Sequence, residues 1–164
     1  MRLLRHHATV HPGTGRPWRA FTLLLGVLLL AALVTVPRGG TAAAAAPVLL
    51  SQGRPTTASS TENAGTPASA AVDGNLTGTR WSSAFSDPQW LEVDLGSSQS
   101  ISQVVLTWET AAGKAYQIQT STDGSTWTPV YSTTTGAGGT ETLNVTGTGR
   151  YVRMYGTARA TAYG

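Results

Sequence analysis

The chain has 164 residues, with 11 basic side chains, 8 acidic side chains, three histidines and no cysteine. Five arginines and all three histidines precede position 47, where there is no acidic residue, so the rest of the chain carries six basic and eight acidic groups, a balance of 6 − 8 = −2. An acidic body excludes the basic surface that nucleic-acid binding requires. Without His or Cys, the body cannot form a Ser-His-Asp or Cys-His nucleophile, a zinc site with those ligands, or a disulfide.

The first 46 residues have the three parts of a secretory signal peptide. Residues 1–19 are basic and irregular, residues 21–36 form an uncharged apolar run (FTLLLGVLLLAALVTV), and small residues follow a Pro-Gly break. We therefore predict a signal-peptide helix over the apolar run, cleavage within residues 42–46, and a secreted, extracellular protein with no stable membrane insertion after cleavage. The alternative is an uncleaved signal-anchor. The run is short for a bilayer span, which needs about 20 apolar residues.

Residues 47–164 are predicted to be all-β, because short runs alternate between apolar and polar residues and no helical period is sustained. Leu91, Val93 and Leu95, for example, alternate with polar or amphipathic neighbours. Residues 101–108 are apolar on both parities, as in a central or bulged strand. The pair Asp123-Gly124 predicts a hairpin turn, and residues 51–71 are predicted to be an irregular loop over the sheets.

Several phrases of the body, taken together and in order, resemble the discoidin family, also called the coagulation factor 5/8 type C domain, and in particular bacterial carbohydrate-binding modules of family 32. The phrases are AVDGN (71–75), TRWSS (79–83), PQWLEVDLG (88–96), VLTWE (105–109), YQIQ (116–119), STDG (121–124) with Trp127, and GRYVRM (149–154). The resemblance implies a jelly-roll-like antiparallel β-sandwich over residues 47–164. Family members continue into a final strand that carries an aromatic residue and a Glu, and we expect that strand to be missing from this chain.

The loop of residues 73–79 is the candidate metal site. Oxygen-bearing side chains on a tight glycine-containing loop suit a hard cation such as calcium. The resemblance implies a structural calcium, with Asp73 as the carboxylate ligand and Asn75 and Thr79 at positions that supply further oxygens. The family's last ligand, the Glu of the final strand, has no counterpart here. The alternative is an Asx turn held by Asp73 without metal.

The resemblance also implies that sugars bind loops at one end of the sandwich, here residues 82–87, 108–114 and 157–164. Sugar recognition needs an aromatic face together with a few polar groups. Tyr163 matches a position where the family often places a stacking aromatic residue. Ser82 stands where many galactose binders have His, which argues against simple galactose specificity. The predicted ligand-binding residues are Tyr163, Glu109, Phe85, Arg159, Lys114 and Trp108; for Trp108, a core role is the alternative, and Trp81, Trp90 and Trp127 are predicted to be structural.

The sequence thus predicts a monomeric, non-catalytic module that binds a polysaccharide or glycan. Glu92 and Asp94 lie two apart, as paired catalytic carboxylates could, but the solvent face of an amphipathic strand explains them and we expect nothing to raise the pKa of either. One alternative is that the module targets a glycoside hydrolase whose catalytic domain lies outside this chain. The other is a cell-surface or protein-adhesion module, because the fold does not fix the ligand.

Overall fold

The computed structural model describes residues 1–5 and 46–164, which belong to one compact unit. The predicted signal-peptide helix and cleavage region lie outside the described residues. Among those described, no helix is long and apolar enough to cross a bilayer. The all-β class is confirmed: apart from a 3-10 helix at Ala68–Ala71, the elements are strands. They are β1 (Arg2–Arg5), β2 (Val48–Leu49), β3 (Thr56–Ala58), β4 (Gln89–Thr107), β5 (Gly113–Ser121), β6 (Thr128–Thr133) and β7 (Thr140–Arg159).

Two long antiparallel strands, β4 and β7, run through both layers of the sandwich. The first half of β4 pairs with β3 and with the second half of β7, which in turn pairs with β5. The second half of β4 pairs with β1 and with the first half of β7. The register between β4 and β7 shifts between Asp94 and Gln99, around Gly96 at φ 83°. This break lets one pair of strands serve two layers, as strands do when they change sheet.

The core lies between the layers and follows the predicted alternation. Leu91, Val93 and Leu95 are buried, whereas Trp90 and Glu92 on the opposite parity are half-exposed. The run that is apolar on both parities lies between β1 and β7, and its register on β7 shifts between residues 101 and 103, which agrees with the prediction of a central or bulged strand. The fully buried side chains at the centre include Tyr116, Leu3, Ile101, Ile118, Val93, Val104 and Val152.

The predicted Asp-Gly hairpin is confirmed between β5 and β6, which pair antiparallel. Gly124 has φ 74°, in the left-handed region that favours glycine. The Asp123 carboxylate accepts hydrogen bonds from the backbone N–H groups of Ser125 and Thr126, each at 2.8 Å. These bonds hold the pKa of Asp123 well below its usual range, because they stabilise the ionised carboxylate.

Two segments differ from expectation. Residues 51–71 are not wholly irregular, since they contain β3 and the 3-10 helix; the backbone of β3 pairs with β4 although its Thr-rich sequence has no apolar pattern. Residues 2–5 are not irregular either, because they form β1 between β2 and β4. Burial of Leu3 and Leu4 explains this strand, as their side chains are 0% and 9% exposed. The assignment of residues 1–46 to a signal peptide stays a prediction.

Candidate functional site

The structure brings the three predicted binding loops together at one end of the sandwich. The guanidinium Nε of Arg159 lies 3.2 Å from Asp87 Oδ1 in an ion pair that joins the third loop to the first. The backbone N–H of Ala160 donates to the carbonyl of Ala112 at 2.8 Å, which joins the third loop to the second. Five of the six predicted ligand residues lie at this end, with Lys114 the exception discussed below.

The first and third loops present an exposed aromatic pair. The rings of Phe85 and Tyr163 lie 5.7 Å apart between centroids with planes at 88°. Phe85 is 51% exposed and Tyr163 is 65% exposed. Exposed apolar side chains are informative where they adjoin each other in one patch, as these two rings do. Edge-to-face packing favours this mutual orientation of the rings, and each ring still offers apolar surface to a ligand.

Behind the aromatic pair, Trp81 and Trp108 line two adjoining cavities of about 140 and 50 Å³. Arg80 and Glu109 also line the larger cavity, and Asp87, Arg159 and Tyr163 line the smaller one. Apolar walls with a few convergent polar groups are typical of small-ligand sites. The cavities therefore extend the aromatic pair into a continuous concave surface.

Trp108 is both a packing residue and a wall of the site. Its ring centroid lies 5.5 Å from that of Tyr116, which is buried in the core. Its indole Nε1–H donates to Glu141 Oε2 at 2.6 Å. A second oxygen of Glu141 accepts the backbone N–H of Ala137 at 3.2 Å. Glu141 thus orients the indole ring towards the cavities.

Glu109 is the exposed carboxylate of the larger cavity. Its carboxylate accepts the backbone N–H of Ala111 at 3.2 Å, and this bond is the main reason that the pKa of Glu109 lies below its usual value. The positive charge of Arg80 contributes in the same direction. Glu109 is therefore ionised at neutral pH and available to a cationic or hydroxyl-bearing ligand.

Lys114 differs from the other predicted ligand residues in its position. Like Phe85 it lines neither cavity, but it belongs to strand β5, and its carbonyl accepts the N–H of Gly136 at 2.8 Å. Sequence reasoning missed Arg80, Glu141 and Glu62. The backbone N–H of Glu62 donates to Ser82 at 2.8 Å, which brings this exposed acid beside the first loop. Only tertiary packing brings these groups to the site, so no local pattern could have indicated them.

Glu92 and Asp94 line neither cavity. Both carboxylate oxygens of Asp94 accept hydrogen bonds from Arg150, each at 2.8 Å, and these lower its pKa to about 2. Our expectation that nothing raises either pKa was wrong for Glu92, because partial burial raises it. Because neither Glu92 nor Asp94 lines a cavity, neither carboxylate is placed to contact a ligand at the loop end.

The three predicted metal ligands lie together on one loop. Asp73 Oδ1 accepts the N–H of Asn75 at 2.8 Å, which is an Asx turn, and Oδ2 accepts the hydroxyl of Thr79 at 2.7 Å. The hydroxyl of Thr79 also lies 3.2 Å from the Asn75 carbonyl. The Met1 ammonium donates to the carbonyl of Ala71; burial lowers its pKa to about 6, and the charge of Asp73 opposes that shift. In the described ranges, no three His, Cys, Asp or Glu side chains cluster as metal ligands.

Comparison with known proteins finds a family match and similar solved structures for this chain. Residues 70–154 match the NedA-like, galactose-binding domain of the F5/8 type C family. Chitosan-binding module 1 of a chitosanase/glucanase from Paenibacillus sp. IK-5 is 48% identical and has a TM-score of 0.67, with 70% of this chain and 90% of that chain covered. Module 2 of the same enzyme, solved in complex with chitotriose, is 50% identical with a TM-score of 0.67, covering 70% and 92%.

A curated relative matches over a shorter stretch. The polysaccharide lyase 8 family protein HylA of Enterococcus faecalis is 43% identical over 72 residues, which is 44% of this chain and 5% of that protein. The chain thus corresponds to a small part of that lyase.

The fold, the family match and the similarity to the two chitosan-binding modules identify a non-catalytic carbohydrate-binding module. The chain belongs to the F5/8 type C family of NedA-like, galactose-binding domains, and its neighbours are carbohydrate-binding modules.

Proposed function

We propose that the module binds β-linked glucosamine polymers of the chitosan type. The observation that carries the proposal is the exposed Phe85–Tyr163 pair at the same end of the sandwich as the ionised carboxylate of Glu109. Glucosamine units combine an apolar C–H face with an ammonium group, so they need both an aromatic surface and a negative charge. Over the 70% of this chain that aligns, 50% and 48% of the residues are identical to those of two chitosan-binding modules, which supports the same substrate class.

Each group has a distinct task in this proposal. Tyr163 and Phe85 contact the C–H faces of the sugar rings, and Glu109 accepts hydrogen bonds from an ammonium group. Asp87 is already paired with Arg159, so it serves to hold the third loop in position rather than to bind the cation. Trp108 forms the cavity wall that orients the chain of sugars. The exposed Glu62 beside the first loop adds negative charge at the same end.

The absence of His at position 82 supports a ligand other than galactose. Ser82 is 4% exposed, and its hydroxyl accepts a hydrogen bond from Arg80 Nε at 3.2 Å. A buried hydroxyl that is already used for Arg80 is poorly placed to select an axial sugar hydroxyl. Specificity then rests on the aromatic pair and the exposed acids.

We propose that the loop of residues 73–79 holds a calcium ion, which braces the loop. The donor set fits, because the Asp73 carboxylate, the Asn75 and Thr79 oxygens and the Ala71 carbonyl are hard oxygen donors in one small region. The Ala71 carbonyl accepts from a cationic group, the Met1 ammonium, and that ammonium interacts with the charge of Asp73. Calcium would raise the thermal midpoint of the wild type, and EDTA would reverse the rise. The same additions should leave Asp73→Asn unchanged, and an equal rise in that variant would refute the site.

We further propose that residues 1–46 export the protein and that the module acts as a monomer attached to a polysaccharide-degrading parent. The relative HylA, whose name identifies a polysaccharide lyase, supports a parent of this kind. The amino-terminal residue of protein recovered from culture medium tests export: a start within residues 43–47 is expected, and Met1 would contradict cleavage.

Calorimetric titration of the purified chain with chitotriose and with its fully N-acetylated form tests the substrate class. We expect binding of chitotriose and much weaker binding of the acetylated form, which has no ammonium groups. Tyr163→Ala should weaken binding at least about tenfold, or about 1.4 kcal/mol, and Tyr151→Ala, on the opposite strand parity from the core and far from the loops, should not. Equal affinity for both sugars would overturn the charge argument; no glycan binding by folded protein would favour a protein-adhesion role.

A further inference from the structure

The strand β1 occupies an interior position in its layer although it comes from the start of the chain. It lies between β2 and β4 and is antiparallel to both. Leu3 is opposite Val104, and Leu4 is opposite Leu49 on the other side. The side chain of Leu3 is 0% exposed and belongs to the main core cluster. We call the position that β1 fills, between β2 and β4, the acceptor slot.

The acceptor slot binds mainly the backbone of β1. The hydroxyl of Ser51, a residue only 1% exposed, donates to the Met1 carbonyl at 2.8 Å and accepts the Leu3 N–H at 3.2 Å. The backbone N–H of Leu50 donates to the Leu3 carbonyl at 2.7 Å. On the other side, Ser102 Oγ donates to the Leu4 carbonyl at 3.1 Å. The slot therefore selects an extended segment with two successive apolar residues, as strand-addition sites do.

Side chains of the arginines contribute little to this recognition. Arg2 is exposed, and within the described residues the bond of Arg5 runs from Nη1 to Gln99 Oε1 at 3.0 Å. A substitution at Arg2 therefore leaves the slot filled, whereas a charge at Leu3 is forced into the core. This contrast within one strand provides a matched pair of variants.

The segment that fills the slot also contributes a residue to the sugar-binding site. Met1 lines the larger cavity together with Arg80, Trp81 and Trp108. The first residue of the chain thus forms part of one wall of the concave surface. Withdrawal of β1 would open that wall as well as the backbone edges of β2 and β4.

We propose that β1 is a donor strand in cis, which completes the sandwich while residues 1–46 are attached and leaves the acceptor slot open when they are removed. The opening of the slot rests on the proposed export of the protein, whereas the donor-strand role of β1 does not. In this proposal β1 has two roles: its residues begin the export signal, and they also cover the core and the sugar-binding cavity.

The test uses the full chain with a specific protease site inserted between Gly39 and Gly40, cut after purification. We expect the amino-terminal fragment to co-elute with the body in size-exclusion chromatography. The amides of residues 103–105 should stay protected from hydrogen exchange. Leu3→Asp should release the fragment and speed exchange of the amides among residues 103–105 that donate to β1 at least about tenfold, whereas Arg2→Asp should do neither. Fragment loss from the wild type without faster exchange at residues 103–105 would overturn the donor strand.

Two further measurements keep the inference testable if Leu3→Asp does not fold. A labelled peptide of residues 1–6 in excess should replace the fragment in the cut wild-type protein, and the same peptide with Leu3→Asp should not; equal behaviour of the two peptides would overturn selective recognition by the slot. Mass spectrometry of exported protein tests the opening of the slot separately from the donor-strand role of β1. Exported protein that retains Met1 would overturn the opening of the slot and leave the donor strand standing.

Discussion

Substitution of Glu141 by Ala separates the anchoring of Trp108 from direct contact with sugar. Glu141 does not line either cavity, but its Oε2 accepts the indole N–H of Trp108 at 2.6 Å and its Oε1 accepts the Ala137 N–H at 3.2 Å. A hydrogen bond to a charged group contributes about 1.5–3 kcal/mol to stability. Removing Glu141 also leaves the half-buried indole N–H without its partner. Because the first bond is short and the second is long and exposed, we expect Glu141→Ala to lower the free energy of unfolding by about 2 kcal/mol.

The same substitution should also weaken glycan binding, since the freed indole no longer forms a fixed cavity wall. Urea denaturation followed by tryptophan fluorescence gives the stability change, and titration with chitotriose gives the affinity. Glu109→Ala is the matched control: its carboxylate is exposed and bonds only to its own loop, so stability should change by less than about 0.5 kcal/mol while affinity falls. The anchoring role would be refuted if Glu141→Ala kept wild-type stability and affinity.

Two further predictions concern stability. The paired carboxylate of Asp94 has a pKa lowered to about 2 from 3.8, so its contribution is present above pH 4 and is lost as the pH falls towards 2. Because this pair with Arg150 is partly exposed, Asp94→Asn should cost about 1 kcal/mol at pH 7, and thermal melts at pH 2–3 should show the gap closing; a gap independent of pH would contradict the pairing. A Cβ at Gly149 would lie 2.7 Å from the Ser121 carbonyl oxygen. Gly149→Ala should therefore lower the free energy of unfolding, measured by denaturation, by about 1–3 kcal/mol. Gly156→Ala, with its nearest contact at 3.5 Å, is the control, and equal losses would refute the steric explanation.

Local sequence patterns predicted the elements whose burial is expressed within a single strand. The alternation at residues 91–95, the central or bulged strand after residue 101 and the Asp-Gly hairpin were all predicted correctly. Each of these depends on side-chain parity or turn conformation, which a few consecutive residues determine.

The elements that sequence reasoning missed depend on distant partners. The strand β1 pairs with residues about one hundred positions later, and the sequence alone assigns its two leucines to a leader. The Thr-rich β3 lacks an alternating pattern, and it becomes a strand because β4 offers a free edge.

The candidate site divides in the same way. The resemblance indicated the three loops and the aromatic residues Phe85 and Tyr163, which the fold brings to 5.7 Å. It gave no sign that Glu141 orients Trp108 or that Arg80 lies in the cavity, because those contacts join different strands and loops. The sequence predicts a loop at Lys114, but strand β5 begins at Gly113.

An NMR titration of the isotopically labelled chain with chitotriose tests the central claim most directly. The account predicts saturable shifts centred on residues 80–87, 108–113 and 157–164, including the indole N–H of Trp108. Shifts centred instead on the outer face of the sheet, where Arg153 stacks on Trp127 at 4.0 Å, would place the sugar elsewhere and contradict the account.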